Sequence, residues 1–347
     1  MGLREVTPAV RDLVATTQAM MQAGKGILAM DESNPTSSRR FAKLGIPQTV
    51  DARRAWRELI LTTPGLGDYI SSAILYDETI RQAAADGTPF LTVLAKAGIV
   101  PGIKVDAGAK ELAAHPGEKV TEGLDRLRER LVEYRQMGAR FAKWRAVIAI
   151  GKEIPSRACL EANAHGLARY AALCQEAGIV PIVEPEVLMD GDHTLERCAE
   201  VTEAALHTVF EELYRQGVVF EGMILKPNMV LSGADCPVQA SVEEVADVTV
   251  KVLLRTVPAA VPGVAFLSGG QSAELASLRL NAMNVRWRGK APWVLTFSFS
   301  RAIQQPAMDL WRGDASQVAA AQKVLHHRAL CNGMARRGEY RPDMEAR

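Results

Sequence analysis

The sequence predicts an α/β protein folded as a single (β/α)8 TIM barrel, and three observations lead there. An amphipathic helical pattern, a glycine and a short apolar strand ending in polar residues recur along the chain. Eight such strands can be collected from the 347 residues. Seven of the eight end in residues able to ionise or to bind an anion. A doubly wound open sheet is the competing architecture. It usually carries a glycine-rich dinucleotide turn after the first strand, and the segment "AMDESNP" there is not one.

The predicted strands are 26–31 (GILAMD), 71–76 (SSAILY), 100–106 (VPGIKVD), 141–148 (FAKWRAVI), 179–186 (IVPIVEPE), 222–227 (GMILKP), 263–270 (GVAFLSGG) and 293–300 (WVLTFSFS). Between them, 121–138 places Leu124, Leu127, Leu131 and Tyr134 at helical spacing, with Gly138 as its C-cap. A second helix over 156–178 opens on the N-cap residue Ser156 and ends at Gly178, and a third spans 198–217. The pattern over 241–257 starts with Ser241 and has Glu244 three residues on, a capping box. A further helix starts near Ser272.

Composition sets bounds. Hydrophobic residues make up 48%, enough for a sizeable core, and no linker divides the chain. We therefore read residues 1–347 as one domain, with an N-terminal helical extension and a short C-terminal tail from about 335. The 41 basic residues balance 40 acidic ones, which argues against a dedicated nucleic-acid or anionic-membrane binder. No apolar run reaches the roughly 18 residues of a membrane span. The start carries Arg4, Glu5, Arg11 and Asp12, so it lacks a signal-peptide apolar region, and Val6 spoils a myristoylation pattern. Five cysteines with no C-x-x-C fit reduced thiols in a cytoplasmic protein.

In such barrels the active site lies at the carboxyl ends of the strands. Those ends supply Asp31, Lys104 and Asp106, Lys143 and Arg145, Glu184 and Glu186, Lys226, Ser268–Gly270, and Ser300–Arg301. One charge at a strand end is most often a solvated boundary residue. That explanation weakens when so many share one mouth, and it fails for Lys104, Lys143, Glu184 and Lys226, which are embedded in apolar sequence. A free lysine, with a pKa of about 10.4, is a poor nucleophile at pH 7. Desolvation and a neighbouring cation lower that value, which is one way to make a Schiff-base amine. Glu184 offers a general acid/base and Asp31 a carboxylate base. A second reading stays open on spacing alone: the lysines hold phosphates and nothing becomes covalent. The Ser-Gly-Gly turn at 268–270, ahead of a helix, suits a phosphate, and Arg301 adds a guanidinium fork.

Other chemistries lack their signatures. None of the six histidines (115, 165, 193, 207, 326, 327) lies in a zinc spacing, so no metal or cofactor is expected. His193, among Asp190 and Asp192, reads as part of a polar loop. There is no G-x-S-x-G, and aromatics, at 5%, are not interleaved with a basic stripe.

Taken together, "KGILAMDES" with "RRF", "GIKVD", "FAKWRAVI", "GIVPIVEPEVLMDGDH", "LKPNMV", "RTVP", "FLSGGQS" and "WVLTFSFSRAI" resemble class I fructose-bisphosphate aldolase, in the family's order from about residue 9 to 340. The resemblance implies a cytoplasmic, metal-independent homotetramer that cleaves a phosphorylated ketose, fructose 1,6-bisphosphate, through a lysine imine. By position it makes Lys226 the Schiff-base lysine and Glu184 the acid/base of imine formation, with Glu186 in support. Asp31 becomes the carboxylate acting on the C4 hydroxyl, and Lys143 the lysine beside the imine, with Arg145 next to it. Lys104 becomes a further active-site lysine. Ser268, Gly269, Gly270, Ser298 and Arg301 match the C1-phosphate site, with Ser300 in the same stretch. Ser33 and Arg40, and more weakly Thr36 and Arg53, match positions near the C6 phosphate or the sugar. The chain departs from the family at Met30 and Asn34-Pro35-Thr36, and at Ser300, where relatives have Gly. It also lacks the terminal Tyr of animal relatives; its last tyrosine is Tyr340. Two other readings remain: a different imine-forming aldolase or transaldolase, and a non-catalytic sugar-phosphate-binding barrel.

Overall fold

The computed structural model describes residues 7–346. Its strands are β1 (Gly26–Ala29), β2 (Ile70–Leu75), β3 (Val100–Lys104), β4 (Gly108–Glu111), β5 (Lys119–Glu122), β6 (Phe141–Ile148), β7 (Val180–Val187), β8 (Ile224–Leu225), β9 (Gly263–Phe266) and β10 (Val294–Phe299). Eight of them close a barrel in the order β1-β10-β9-β8-β7-β6-β3-β2, every neighbour parallel, while β4 and β5 form a separate antiparallel hairpin. The helices are α1 (Pro8–Met20), α2 (Asn34–Ala42), α3 (Val50–Leu61), α4 (Asp77–Ile80), α5 (Phe90–Lys96), α6 (Leu127–Met137), α7 (Arg157–Glu176), α8 (Leu195–Arg215), α9 (Val242–Thr256), α10 (Ala273–Arg286), α11 (Arg301–Trp311) and α12 (Val318–Arg337). No helix among the described residues is long and apolar enough to cross a membrane.

The barrel interior follows the two-residue period of the strands. Ile27 and Ala29, Ile74, Phe141, Val180 and Ile182, Ile224 and Ala265 pack together, and Leu13, Met20 and Met21 join them from the amino-terminal side. α1 and the residue after it thus cap that end. A Cβ at Gly102 would sit 2.3 Å from the Phe141 ring, so only glycine leaves that ring its place in the lumen. A second, larger apolar cluster lies between the strands and the surrounding helices.

Most predicted elements appear within a residue or two. Ser156 and Ser272 cap α7 and α10, and Ser241 and Glu244 form the capping box of α9. Three differences have physical causes. The helix expected from 121 begins at Leu127, because residues 119–122 pair in the hairpin. Thr121 there donates its hydroxyl to the Arg145 carbonyl (2.8 Å), and its N–H goes to Asn163 Oδ1 (3.2 Å). The strand expected over 222–227 keeps ladder geometry only at Ile224–Leu225, since Phe220–Gly222 is a 3-10 turn and Pro227 has no N–H to donate. α12 runs to Arg337, so the tail starts at Gly338. The reading of Arg4, Glu5 and Val6 falls outside the described residues.

Candidate active site

The inner-face period that makes the core also delivers the charges. Continuing it beyond the apolar layer gives Asp31 after Ile27 and Ala29, Lys143 and Arg145 after Phe141, Glu184 and Glu186 after Val180 and Ile182, and Lys226 after Ile224. Register then fixes who meets whom. Lys104 lies beside Lys143, and Arg145 beside Glu184.

Four of these side chains form one buried chain of ion pairs. Lys143 Nζ is 2.7 Å from Asp31 Oδ2 and 3.3 Å from Glu184 Oε2, and Lys226 Nζ is 3.1 Å from Glu184 Oε1. Each of the four residues is at most 9% exposed. Two carboxylates and two ammonium groups cancel, which is how four charges are tolerated at this depth. Burial alone would push the Asp31 carboxyl up; Lys143 and then Lys226 outweigh it and hold it down at about 2. The same two lysines hold Glu184 below the usual carboxylate range against its own burial. Burial works against the charge on Lys143, and Asp31 with Glu184 overrides it, keeping the ammonium well above the ordinary lysine range. Lys143 is therefore a fixed cation.

The sequence placed a cation beside Lys226; the structure puts Glu184 between the two amines. The proton that Lys226 must lose to become a nucleophile has an acceptor 3.1 Å away. Lys226 N also donates to Val183 O (2.8 Å), continuing the ladder beyond β8. Asn228, two residues on, is buried and accepts from Val187 N (3.0 Å) while donating to Thr202 (3.2 Å), so the turn out of the barrel is fixed.

Around this centre, Lys104 Nζ pairs with Asp106 (2.8 Å), whose other oxygen accepts from Arg145 N (3.3 Å). Arg145 ion-pairs with Glu186. Glu186 does not join the four; it lies against the turn at Gly269, where an added Cβ would be 3.7 Å from its Oε1.

Ser268, Gly269 and Gly270 form a tight turn closed by Gln271 N on Ser268 O (3.0 Å), with φ of +30° and +77° at the two glycines. Leu267 N donates to Pro227 O (3.1 Å), tying this turn to the Lys226 segment. Phe297 pairs with Phe266, which brings Ser298 level with the turn; its hydroxyl is buried and has no partner. Arg301 is exposed, opens α11 and makes no ion pair among the described residues. Ser298, Arg301 and the Ser268–Gly270 turn thus lie at the ends of two adjacent strands and offer donors of the kind a phosphate uses.

The Ser33–Arg53 segment differs. Ser33 bonds Thr36 (3.1 Å), Arg40 pairs with Glu32 and donates to Gln305 (3.2 Å), and Arg53 is held by Glu78 through two 2.7 Å bonds. Ser300 has φ −108°, so a Cβ fits without strain, but its hydroxyl donates to Glu32 (2.8 Å) and leaves only its backbone for a ligand. Glu32 was not singled out by the sequence. It also takes Gln304 (3.1 Å) and lies 3.6 Å from Arg57. Its only signal was its place next to Asp31, on the opposite parity of the strand. Tyr340 is buried, with its hydroxyl on Glu345 (2.8 Å).

Comparison with known proteins bears on this constellation. The sequence profile of the family described as fructose-bisphosphate aldolase class-I matches residues 12–347. A probable fructose-bisphosphate aldolase class 1 of Xanthomonas campestris is 58% identical over 333 residues, 96% of this chain and 99% of that protein. The fructose-bisphosphate aldolase of Dictyostelium discoideum is 50% identical over 95% of this chain and 92% of its own. A crystal structure of the Plasmodium falciparum aldolase, solved with TRAP and a small-molecule inhibitor, superposes with a TM-score of 0.94 at 46% identity, covering 96% of each chain.

Proposed function

The chain belongs to the class I fructose-bisphosphate aldolase family, and from that premise we propose which of its side chains carries each step of the retro-aldol cleavage of fructose 1,6-bisphosphate. The reaction passes through a lysine Schiff base and yields dihydroxyacetone phosphate and glyceraldehyde 3-phosphate, a step of glycolysis. Lys226 gives its proton to Glu184 and attacks the C2 ketone of the open-chain sugar. Glu184 returns a proton to the departing hydroxyl, so water leaves and a protonated imine forms. Asp31 takes the C4 hydroxyl proton. The C3–C4 bond breaks, its electron pair runs into the iminium, and glyceraldehyde 3-phosphate departs from the enamine. Protonation at C3 and hydrolysis release the second product and restore Lys226. Lys143, fixed as a cation between Asp31 and Glu184, stabilises the negative charge that passes between them.

The observation that carries this assignment is the buried ion-pair chain Asp31–Lys143–Glu184–Lys226, which supplies an amine, an acid/base within 3.1 Å of it and a separate base on another strand. In the same proposal the C1 phosphate rests on Ser268, Gly269, Gly270, Ser298 and Arg301, and the backbone of Ser300. The C6 phosphate and sugar meet Ser33, Arg40 and Lys104, and Arg145 with Glu186 closes the side between. Tyr340 is committed to Glu345, so the enamine takes its proton from water or from the ion-pair chain.

Borohydride reduction in the presence of dihydroxyacetone phosphate, followed by peptide mapping, tests the centre. A stable adduct on Lys226 is expected, in EDTA as without it; an adduct elsewhere, or none, overturns the assignment. A homotetramer in the cytoplasm belongs to the same proposal. Five free, buried thiols suit a reducing compartment, and equilibrium sedimentation returning a single subunit would contradict the assembly.

A further inference from the structure

Among the described residues, three side chains of metal-binding type converge well away from the ion-pair chain. His327 and Cys331 lie one turn apart on α12, and Glu345 reaches them from the 3-10 turn Pro342–Ala346. We propose that His327 Nε2, Cys331 Sγ and Glu345 Oε2 form a structural site for a zinc-class divalent cation, which fastens the end of the chain to α12.

The geometry is that of a site before the ion draws it together. A tetrahedral zinc with bonds of about 2.3 Å to sulfur and about 2.0–2.2 Å to nitrogen and oxygen has S···N edges of about 3.5 Å and N···O edges of about 3.3 Å. Here Cys331 Sγ is 3.5 Å from His327 Nε2, and Glu345 Oε2 is 3.8 Å from the same nitrogen. All three ligand atoms lie within 4.8 Å of one another. A tetrahedral S···O edge is about 3.6 Å, so the glutamate oxygen moves toward the thiol on binding by up to about 1 Å.

A second, independent feature points to a ligand. Glu345 is oriented through one oxygen only: Tyr340 OH donates to Oε1 at 2.8 Å, and Arg328 pairs with the same atom. That leaves Oε2 facing His327. Outer donors that fix a carboxylate and spare one oxygen are what a ligating glutamate needs. Cys331 is wholly buried, so the thiolate is shielded from solvent, while His327 is partly open to a groove of about 430 Å³ shared with Met334, Glu339 and Met344. The groove gives the ion a way in and a water its fourth position. Binding releases the Cys331 thiol proton to solvent and leaves the oxidation state of the metal unchanged.

The site has a structural neighbour that matters. Arg328, held by Glu345, also donates to Ala273 O (2.8 Å) and Ala302 O (3.2 Å), in the first turns of α10 and α11. Those helices follow the Ser268–Gly270 turn and Ser300. The cation would therefore steady the phosphate end from behind without touching the imine chemistry.

The test is a titration of the full chain, stripped by chelator under reducing conditions, with zinc and then cobalt(II). One equivalent per chain is expected, with a thiolate-to-cobalt charge-transfer band that disappears in Cys331→Ser. Glu345→Gln, which keeps the side chain's length and an amide oxygen for Arg328 and Tyr340, should weaken zinc binding at least 100-fold. Tyr340→Phe, which leaves all three ligands, should weaken it about 10- to 100-fold. Absence of saturable uptake, or a cobalt spectrum and affinity unchanged in Cys331→Ser and Glu345→Gln, would overturn the site. The readout is binding alone, so failure of the Lys226 assignment would leave it untouched.

Discussion

The two proposed phosphate sites use the same residue types in opposite states. At Ser268–Gly270 the donors are free: Ser298 Oγ is buried without a partner, and Arg301 has no carboxylate among the described residues. At Ser33–Arg40 the cations already have carboxylate partners, Arg40 and Arg57 sharing Glu32 and Arg53 on Glu78. On the proposed assignment, a phosphate arriving at the first end meets donors that no other group of the protein already holds. At the second end it must share or exchange an existing ion pair, so much of the attraction is spent before the ligand is held. The difference predicts an anchored C1 phosphate and a C6 end that adjusts affinity and substrate choice. In the same proposal the four-charge centre carries no net charge and adds no net attraction for either phosphate.

The strongest way to isolate that asymmetry is to silence the chemistry. Lys226→Ala should lose borohydride trapping entirely and at least about 10⁴-fold in kcat, yet still bind fructose 1,6-bisphosphate by calorimetry. If binding is lost along with catalysis, the amine is an anchor and the division into centre and ends is wrong.

Asp31→Asn should come next. Removal of a general base costs about 10²- to 10⁴-fold in kcat, with KM little changed because neither phosphate end is touched. It has a separate signature in acid. The folded Asp31 carboxyl sits at about 2 against an ordinary 3.8, so its charge stabilises the fold above pH ~4, and that contribution fades as pH falls through about 2. The contribution is about 2 kcal/mol. Urea unfolding should show the wild type ahead of Asp31→Asn near neutrality, with the gap closing between about pH 4 and pH 2. A gap that persists at the acid end would mean that Lys143 does not hold the carboxylate.

The ends themselves are compared by Arg301→Ala and Arg40→Ala. Loss of a hydrogen bond to a charged group is worth about 1.5–3 kcal/mol, so Arg301→Ala should raise KM roughly 10- to 100-fold. Arg40→Ala should raise it by only about 3- to 10-fold, since Glu32 already offsets part of that cation. With fructose 1-phosphate the Arg40 effect should vanish and the Arg301 effect remain. Equal effects on both substrates would remove the distinction.

The barrel was legible because period two and glycine-closed helices are local signals, and β6 was read to the residue. The centre was legible because Lys143, Glu184 and Lys226 continue an apolar inner face, where a charge has no other reason to be. What could not be read is lateral. Nothing local says that Glu184 stands between two amines, since Lys143 and Lys226 belong to strands on either side of it. Glu32 was invisible for the same reason: its partners Arg40, Arg57, Ser300 and Gln304 come from three helices and a strand end. The hairpin over 108–122 was missed because Leu124 and Leu127 extend a helical pattern that pairing with Gly108–Glu111 overrides.

Ser300 tests the comparison at its finest grain. The family pattern that the sequence resembles puts Gly here, yet the backbone does not need it, since φ is −108°. The serine hydroxyl donates to Glu32 at 2.8 Å and accepts from Gln304 at 3.3 Å, so it stitches the end of β10 to the Asp31–Ser33 segment. Ser300→Gly keeps the backbone N–H and loses the stitch. It should destabilise by about 1–2 kcal/mol, from the lost charged hydrogen bond and the added chain freedom. Kinetic constants for both substrates should change by less than about 2-fold, because on this reading no phosphate contact is removed. A tenfold rise in KM for fructose 1-phosphate would instead make the hydroxyl a C1-phosphate ligand. Glu32 would then have to release it on binding, and the free-donor end would share the exchange step that now sets the other end apart.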